Sequence, residues 1–477
     1  MDATEPTVPA APNPAVPAPT TTSVSPWPMW VLGLVILIDQ VDQNVLRGVI
    51  PQLKHDFGIG DAEIGLLLSI FVLVNGLITV PAGYLADRWH RTRTIGHTVI
   101  AWSAITMITA AAQNFGQLLL GRAVLGFGQA ITEPSANGLI SDFYPTNVRA
   151  SAFSLQQILG LVGAALGIGL GGAIGEAAGW QWAFLAVGPP GFLIAIVAYK
   201  LREPRRGEAD RLHLGIGAAG ETAQSVKLFE HGIKRFFTDM WRGLVQDMKV
   251  ILAIPTLRFA LAGVGSLLFT AQAVGAWLAP FHDRYSGLSQ GESTSAVAAL
   301  IVTGGIPGLL LGGRVADRYA TRIRGARVVI PAYCIAAGVT FFALSYIPMP
   351  FPLSWTLELI GMFTIWLAIP ALRAGVADAV PAHLRGAGFG AFNIVSVILG
   401  AAAAPFVVGQ LAELTNLRTA LWVVTPPVYL GAFVLFKARN HLDEDAAKIF
   451  EAVMAAVQAE QAAAALDESG PADPTPS

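Results

Sequence analysis

Twelve apolar stretches follow one another along this chain, and each is close to the length that a helix needs to cross a lipid bilayer. A spanning helix requires about 20 mostly apolar residues, because its backbone must satisfy its own hydrogen bonds within the lipid. Charged residues make up only 13% of the 477 residues, whereas soluble domains carry about 25%. The sequence therefore predicts an all-α membrane protein with spans at 29–51, 62–86, 94–112, 116–141, 148–173, 181–201, 256–281, 293–317, 326–347, 353–379, 384–411 and 418–437.

A polar segment in the middle of the chain separates the first six spans from the last six. From Val226 onward this segment alternates apolar and basic residues at helical spacing, which predicts an amphipathic helix at the membrane surface. The predicted segments are a disordered tail at 1–27, an N-terminal six-helix bundle at 28–201, a linker at 202–255, a C-terminal six-helix bundle at 256–438, and a helix with a tail at 439–477.

The distribution of arginine predicts the orientation in the membrane. Short loops that carry an excess of Lys and Arg remain on the cytoplasmic side. We therefore expect a multi-pass protein of the cell (inner) membrane with both termini in the cytoplasm. The loops after even-numbered spans carry Arg88, Arg91, Arg93, Arg149, Arg202, Arg318, Arg322 and Arg385.

The two groups of spans are related by an internal repeat. Two parallel repeats of six spans place a substrate path between the halves, near the middle of the bilayer. The repeat is carried by Pro134, Asp142, Pro145 and Arg149, which recur as Pro370, Asp378, Pro381 and Arg385.

Two motifs carry a resemblance to a known family. The loop Gly83–Arg91 and the helix 4 stretch Arg122–Ala130 resemble signatures of the major facilitator superfamily. The resemblance implies twelve helices in two pseudo-symmetric bundles and transport by alternating access. Within the superfamily, residues 37–155 most resemble the Spinster-like group, on stretches such as Asp42-Gln43-Asn44 and Ser141–Pro145. This resemblance implies proton-driven export of lysolipids or sphingoid-type amphiphiles.

The chain departs from the Spinster-like pattern at two positions. That group typically has Asp-Arg in helix 1 and Gly-x-Gly-Glu in helix 4, where this chain has Gln43 and Gln129. Paired loss of both charges is what the removal of a buried ion pair would leave. Charges return one turn later as Arg47 and Glu133. Because the two helices run in opposite directions, each shift of about 6 Å moves these residues apart, and we expect no simple re-formation of the pair.

Charges inside membrane spans are candidates for function. Asp39 and Asp42 lie one helical turn apart in helix 1, and Glu133 is expected nearby. Neighbouring carboxylates raise one another's proton affinity, so this cluster is a candidate proton site. Alternatively, Asp42 only fixes packing, or the carboxylates hold a cationic head group. Arg122 could hold a helix 1 carboxylate, or serve structure alone.

Near the cytoplasmic end, Arg373 is a candidate for binding an anionic head group or for pairing with Asp378 as a gate. The predicted coupling and substrate residues are Asp39, Asp42, Arg47, Arg122, Gln129, Glu133 and Arg373, and the cavity candidates are Gln43, Phe71, Asn75, Gln157, Trp277, Trp366 and Asn393. At the outer mouth, His282, Asp283 and Arg284 are expected to be solvated, and Glu358 is expected to be structural or gating.

The charged loops predict a cytoplasmic gate. In the superfamily, the acid of loop 2–3 binds the positive end of helix 11 in the closed state, and a carboxylate is stabilised at a helix N-terminus. The alternative is that these arginines only set the topology. The gate candidates are Gly83, Asp87, Arg88, Arg91, Asp142, Arg149, Asp317, Arg318, Asp378 and Arg385.

Several classes of function are disfavoured by the sequence. It has no phosphate-binding Gly-x-x-x-x-Gly-Lys loop and no serine nucleophile elbow. The single cysteine, Cys334, cannot form an intrachain disulfide. We therefore predict a secondary transporter and not an enzyme, with no cofactor, metal or nucleic-acid partner, that acts as a monomer on a small amphiphilic substrate and protons within the lipid bilayer. The alternatives are a multidrug or small organic solute/proton antiporter and a non-transporting membrane sensor.

Overall fold

The computed structural model describes residues 25–86, 90–205, 252–320, 322–323, 325–379 and 397–442, with single residues and pairs between 208 and 249 and between 444 and 447. Within these residues every regular element is helical. The first group comprises α1 (Trp27–Gly48), α2 (Ile50–Phe57), α3 (Asp61–Ala86), α4 (Arg91–Thr109), α5 (Phe115–Gln129), α6 (Thr132–Phe143), α7 (Thr146–Ala178) and α8 (Trp180–Tyr199).

A second group of helices follows the central segment. It comprises α9 (Pro255–Tyr285), α10 (Gln290–Leu300), a π-helical turn (Ile301–Gly305), α11 (Ile306–Ala320), α12 (Ala326–Ser345), α13 (Phe351–Ala379), a second π-helical turn (Val397–Ala402), α14 (Ala403–Leu414), α15 (Leu417–Val423), α16 (Thr425–Lys437) and a 3₁₀ turn (Ala438–Asn440). The amphipathic helix expected from Val226 and the predicted N-terminal tail lie almost entirely outside the described residues.

The helix ends follow local sequence signals. The side chain of Asn114 accepts a hydrogen bond from the backbone N–H of Gln117 and caps α5. Ser289 and Glu292 form a reciprocal capping box at the start of α10. Gly58 ends α2 with a φ of 62°, a left-handed conformation that suits glycine. The expected first span, 29–51, ends close to a backbone break at Val49. The short helix α2 follows this break as a separate element, with Pro51 in its first turn.

Nine helices in the described part of the chain are long and apolar enough to cross a membrane. They coincide with nine of the twelve expected spans. The expected third span is α4, which carries basic residues at its start. The fourth is broken into α5 and α6 around Ala130, within the stretch that carries Arg122 and Glu133. The eleventh is described only from its second half, as the apolar helix Gly400–Leu414.

Glycines on α7 let it pack closely on α1 within the first group. A Cβ added at Gly163, Gly167 or Gly171 would run into the backbone carbonyls of α1, at Leu37, Val41 and Val45 respectively. Small residues at helix crossings permit this approach in membranes. Gly163, Gly167 and Gly171 therefore serve close packing within the first group.

The two groups of helices meet along two contacts. Helix α3 packs against α14, and α7 packs against α10. A Cβ at Gly65 would clash with the backbone of Pro405, and a Cβ at Gly172 would clash with Thr294. We call the first group of helices the N-terminal half and the second the C-terminal half. A cavity lies between them.

Candidate functional site

The cavity between the halves has a volume of about 350 Å³. Pockets for small organic ligands have volumes of about 300–1,000 Å³. Helices α1, α3, α5, α6 and α7 line it from the N-terminal half, and α9, α10, α12 and α13 line it from the C-terminal half. Ile301, in the first π-helical turn, also reaches it. The space is therefore of a size to hold a small molecule in contact with both halves.

The two walls of the cavity differ in chemistry. The N-terminal half supplies most of the polar lining: Asp39, Gln40, Gln43, Asn44, Arg47, Arg122, Glu133, Gln156 and Gln157. The C-terminal half supplies mainly apolar side chains: Leu267, Leu268, Val274, Val297, Ile301, Phe342, Met362, Ile365, Trp366 and Ile369. Gln272 and Arg373 are its polar members. The N-terminal half also supplies apolar residues, among them Leu67, Phe71 and Leu161. The cavity thus has one face that mixes polar and apolar groups and one mostly apolar face.

Asp39 faces the cavity with one oxygen unpaired. Its Oδ2 accepts a hydrogen bond from Gln43 Nε2 at 2.7 Å, while Oδ1 is buried without a hydrogen-bond partner. Asp42 and Glu133 are close enough for their charges to act on Asp39. The three carboxyl groups expected to cluster therefore do lie in one region.

Asp42 points away from the cavity and into the N-terminal half. Its Oδ1 accepts a hydrogen bond from Thr106 Oγ1 at 2.6 Å, and its Oδ2 accepts one from Gln129 Nε2 at 2.7 Å. Both Asp42 and Gln129 are 2% exposed and neither lines the cavity. The contact between α1 and α5 is thus a hydrogen bond from the neutral amide of Gln129 to the carboxyl group of Asp42.

Arg47 joins the two halves through amide groups. Its Nη1 donates to Asn44 Oδ1 at 2.8 Å, and its Nη2 donates to Gln272 Oε1 on α9. In the described part of the chain no ion pair joins Arg47 to Glu133, although both line the cavity. The guanidinium therefore reaches across the cavity to α9 and does not pair with Glu133 on α6.

Arg122 also lines the cavity and is 2% exposed. Its guanidinium lies over the ring of Phe184, 5.1 Å from the ring centroid. Its Nε and Nη2 are buried without hydrogen-bond partners. Asp42 is near enough for electrostatic attraction, but the structure gives no ion-pair contact between them.

Other predicted cavity residues divide into three groups. Phe71, Gln157, Trp366 and Arg373 line the cavity. Trp277 does not, because its indole N–H donates to the carbonyl of Pro405 at 3.1 Å and its ring is buried where α9 meets α14. Asn75 does not line it either, since its backbone packs against Gly126. Asn393 lies outside the described residues.

Sequence analysis missed three carboxamides of the lining. Gln40 and Asn44 lie on α1 near Asp39 and Arg47. Gln272 stands alone in the apolar stretch of α9. The available signal was that an amide inside an apolar span needs a hydrogen-bond partner, and this signal applies to these three residues as it does to Gln157.

Away from the cavity, Arg91 at the start of α4 contacts α6 and the segment that follows α8. Its Nη1 contacts Asp142 Oδ2 at 2.5 Å and its Nε contacts Glu203 Oε1 at 2.9 Å. Its Nη2 donates to the carbonyl of Pro204 at 3.3 Å. Arg149 donates to backbone carbonyls close by. These predicted gate residues form a network inside one half, and Glu203 is a member that sequence analysis missed.

The remaining gate candidates are less fully described. Gly83 lies in α3. Asp317 lies in α11 and Asp378 lies in α13, but the side chains of these two aspartates lie outside the described part. Arg318 is exposed on α11. Asp87, Arg88 and Arg385 lie outside the described residues.

Polar contacts between the halves are concentrated at one end of the described structure, which we call the closed end. Arg284 pairs with Asp61, and Glu413 Oε1 accepts a hydrogen bond from the backbone N–H of Ala62 at 2.9 Å. Gln290 Nε2 donates to the carbonyl of Gly48 at 2.6 Å. These contacts join α3 to α9 and α14, and α1 to α10.

The prediction that His282 is solvated at the outer mouth is wrong. His282 and Glu358 are both fully buried, and His282 Nε2 lies 2.9 Å from Glu358 Oε2. Ser354 Oγ donates to the other oxygen of Glu358 at 3.0 Å. Arg284 is not free in solvent either, because Asp61 holds it.

Comparison with known proteins places these features in context. A sequence profile described as "Major Facilitator Superfamily" matches residues 32–404. The chain is 24% identical over 429 residues to the "Probable L-galactonate transporter" of Escherichia coli (strain K12), covering 87% of this chain and 90% of that protein. It is 26% identical over 439 residues to "Protein spinster homolog 3" of Homo sapiens, covering 87% and 80% respectively.

A solved structure also matches over most of the chain. It is a bacterial homolog of the human lysosomal transporter Spinster in an inward-facing and occupied conformation. The TM-score is 0.71 at 20% identity, and the match covers 88% of this chain and 98% of that one. At this identity the likeness shows the fold, with two helical halves around a central cavity.

Proposed function

This chain belongs to the Major Facilitator Superfamily of transporters, and we propose that it moves an amphiphilic organic molecule across the inner or plasma membrane by proton-coupled alternating access. It is a multi-pass secondary transporter and not an enzyme. The observation that carries the proposal is a cavity whose polar lining is concentrated on one half, while the other half supplies mostly apolar side chains. Such a cavity suits a molecule with a polar head and an apolar body.

Alternating access requires that the cavity open to one side at a time. The concentration of contacts between the halves at the closed end supports a state that faces the opposite side. The arginine distribution supports a cytoplasmic location for that opposite side and for both termini. We therefore assign this conformation as inward-facing, like that of the bacterial Spinster homolog. One chain supplies both halves of the cavity, so the transporter acts as a monomer.

Proton coupling is assigned to Asp39, Asp42 and Glu133. Burial and neighbouring like charges both favour the neutral form of a carboxyl group. Asp39 and Glu133 line the cavity, and Asp42 lies directly behind it. A proton bound from one side could therefore be released to the other when the halves rearrange. Arg122 supports this role through its electrostatic attraction to Asp42.

A second candidate is transport of a more polar organic solute. The six carboxamides in the lining favour it, because they could bind hydroxyl groups: Gln40, Gln43, Asn44, Gln156, Gln157 and Gln272. The L-galactonate transporter relative supports the same interpretation, whereas the resemblance of residues 37–155 to the Spinster-like group implies an amphiphile. Mass spectrometry of molecules that copurify with the protein would identify which class it carries.

The function is tested by reconstitution into liposomes. We expect counterflow of the copurified molecule, and accumulation that depends on a pH gradient and stops when an ionophore collapses it. Absence of counterflow for every copurified molecule would contradict transport. Asp42→Asn and Glu133→Gln should both reduce gradient-driven accumulation. Full accumulation in both variants would show that the proton assignment is wrong.

A further inference from the structure

Among the residues that the structure describes, no carboxylate compensates the charge of the Arg47 guanidinium. Its two terminal nitrogens donate to amide oxygens, of Asn44 and of Gln272. Its Nε is buried without a hydrogen-bond partner. Amides satisfy donors but leave the positive charge in place, and a charge removed from water normally has a counter-charge. In the described residues, Arg47 therefore lacks the partner that its burial calls for.

A second guanidinium adds positive charge beside Arg47. Among the described residues neither arginine forms an ion pair, although Asp39 and Glu133 line the same cavity and Asp42 attracts Arg122. Arg122 is close enough to Arg47 for the two charges to repel, and both side chains line the same cavity. Two buried guanidinium nitrogens of Arg122, Nε and Nη2, also have no acceptor. An anion placed beside both arginines would relieve the repulsion and accept these donors.

From this geometry we infer that Arg47 and Arg122 form a binding site for the anionic head group, carboxylate or phosphate, of the transported molecule. The inference rests on the proposed function and specifies its substrate class. Gln272 completes the site from the other half: its Oε1 already accepts from Arg47, which leaves its NH₂ group to donate to the ligand. The apolar side chains of Leu267, Leu268 and Ile301 would contact the rest of the molecule.

This site differs from the helix 1 arginine of the Spinster-like pattern. That position is Gln43 here, and the positive charge stands one turn further along α1. The shift carries the guanidinium to the contact with α9, so the bound anion would touch both halves. Gly275 makes room for it, because a Cβ there would lie 2.7 Å from Arg47 Nη1.

The test measures binding to the purified full-length protein by thermal unfolding, with four probes of equal chain length: octanoate, octyl phosphate, octyltrimethylammonium and octanol. We expect octanoate or octyl phosphate to raise Tm in a saturable manner, and the cationic and neutral probes to have no such effect. The two anions distinguish a carboxylate from a phosphate head group. Equal stabilisation by the cationic or neutral probe would overturn the inference.

Variants locate the site. Arg47→Gln should weaken binding of the anion about tenfold or more, the scale of losing a hydrogen bond to a charged group. Arg258→Gln, which removes an exposed arginine from α9, should leave binding unchanged. If Arg47→Gln fails to fold, two other variants replace it. Arg47→Lys should still prefer anions but bind them more weakly. Gly275→Ala should weaken anion binding because its Cβ displaces the guanidinium of Arg47. Wild-type affinity in Arg47→Gln, or in both substitutes, would overturn the site.

The outcomes also separate this inference from the proposed function. Gradient-driven transport of a copurified cationic or neutral molecule, without anion binding, would refute the anion site and leave a transporter. Anion binding that is lost in Arg47→Gln, together with no counterflow in liposomes, would support the site and refute transport.

Discussion

Both terminal nitrogens of the Arg284 guanidinium donate to the carboxylate of Asp61, and this contact links the C-terminal half to the N-terminal half. Nη1 donates to Oδ2 at 2.8 Å and Nη2 donates to Oδ1 at 2.6 Å. Lys54 contacts the same carboxylate at 2.8 Å. A bidentate arginine–carboxylate pair is directional and roughly twice as strong as a neutral hydrogen bond. Asp61, at the first turn of α3, is therefore a fixed point between the two halves at the closed end.

Loss of this contact should favour opening of the closed end. In Arg284→Gln, we expect a cysteine introduced at the cavity residue Leu268 to react several-fold faster with a membrane-impermeant maleimide applied from the side of the closed end. The physical reason is that a state held by one strong contact loses population by about tenfold for each 1.4 kcal/mol removed. The native Cys334 is buried and can be replaced by alanine to remove background.

Lys200→Gln is the matched control, because it removes an exposed positive charge elsewhere in the N-terminal half. Its labelling rate should equal that of the parent Leu268→Cys protein. Equal rates in the Arg284 variant and this control would mean that the Arg284–Asp61 pair does not hold the end closed.

Much of the fold was predictable because the signal for it is local. The apolar length of each span is read from neighbouring residues in the sequence. Gln272 and Arg284 were not recognised because their importance depends on which residues face them from the other half. Asp42 was placed in the correct region, but whether it faced the cavity or Thr106 depended on the rotation of α1 within its bundle.

Asp39 should couple transport to protons without being needed for exchange. Asparagine can still accept the hydrogen bond from Gln43, so the cavity keeps its shape while losing a proton-binding group. We expect Asp39→Asn to retain counterflow of the substrate and to lose most of the accumulation driven by a pH gradient.

The control for this prediction is Asp56→Asn. Asp56 is an exposed carboxylate that accepts a hydrogen bond from Trp180 Nε1 at 3.0 Å, and an asparagine can do the same. Both transport modes should be unchanged in that variant. If Asp39→Asn lost both counterflow and accumulation, Asp39 would instead be assigned to substrate binding.

Arg91 should matter for stability. Its side chain is 1% exposed and contacts Asp142 and Glu203. Removing one member of a buried ion pair costs about 3–5 kcal/mol, because the partners are left uncompensated. We expect Arg91→Gln to lower Tm clearly in a thermal unfolding assay.

Arg202→Gln provides the comparison for Arg91. Arg202 pairs with Glu208, but its side chain is 62% exposed. An exposed pair contributes only about 0–1 kcal/mol, so Tm should change little. A similar small change in both variants would show that the Arg91 network adds nothing to stability.

Gln129 offers a test of the contact between helix 1 and helix 4. Its amide donates to Asp42 Oδ2 at 2.7 Å, so a glutamate there would bring two carboxyl groups together, and one of them would have to hold a proton. The stability that this shared proton supports is present at low pH and is lost as the pH rises. We therefore expect the Tm of Gln129→Glu to approach that of the wild type at pH 5 and to fall well below it at pH 8. Gln129→Ala lacks the second carboxyl group, and its Tm deficit should be similar at both pH values. A deficit in Gln129→Glu that does not change with pH would mean that the new carboxyl group turns away from Asp42.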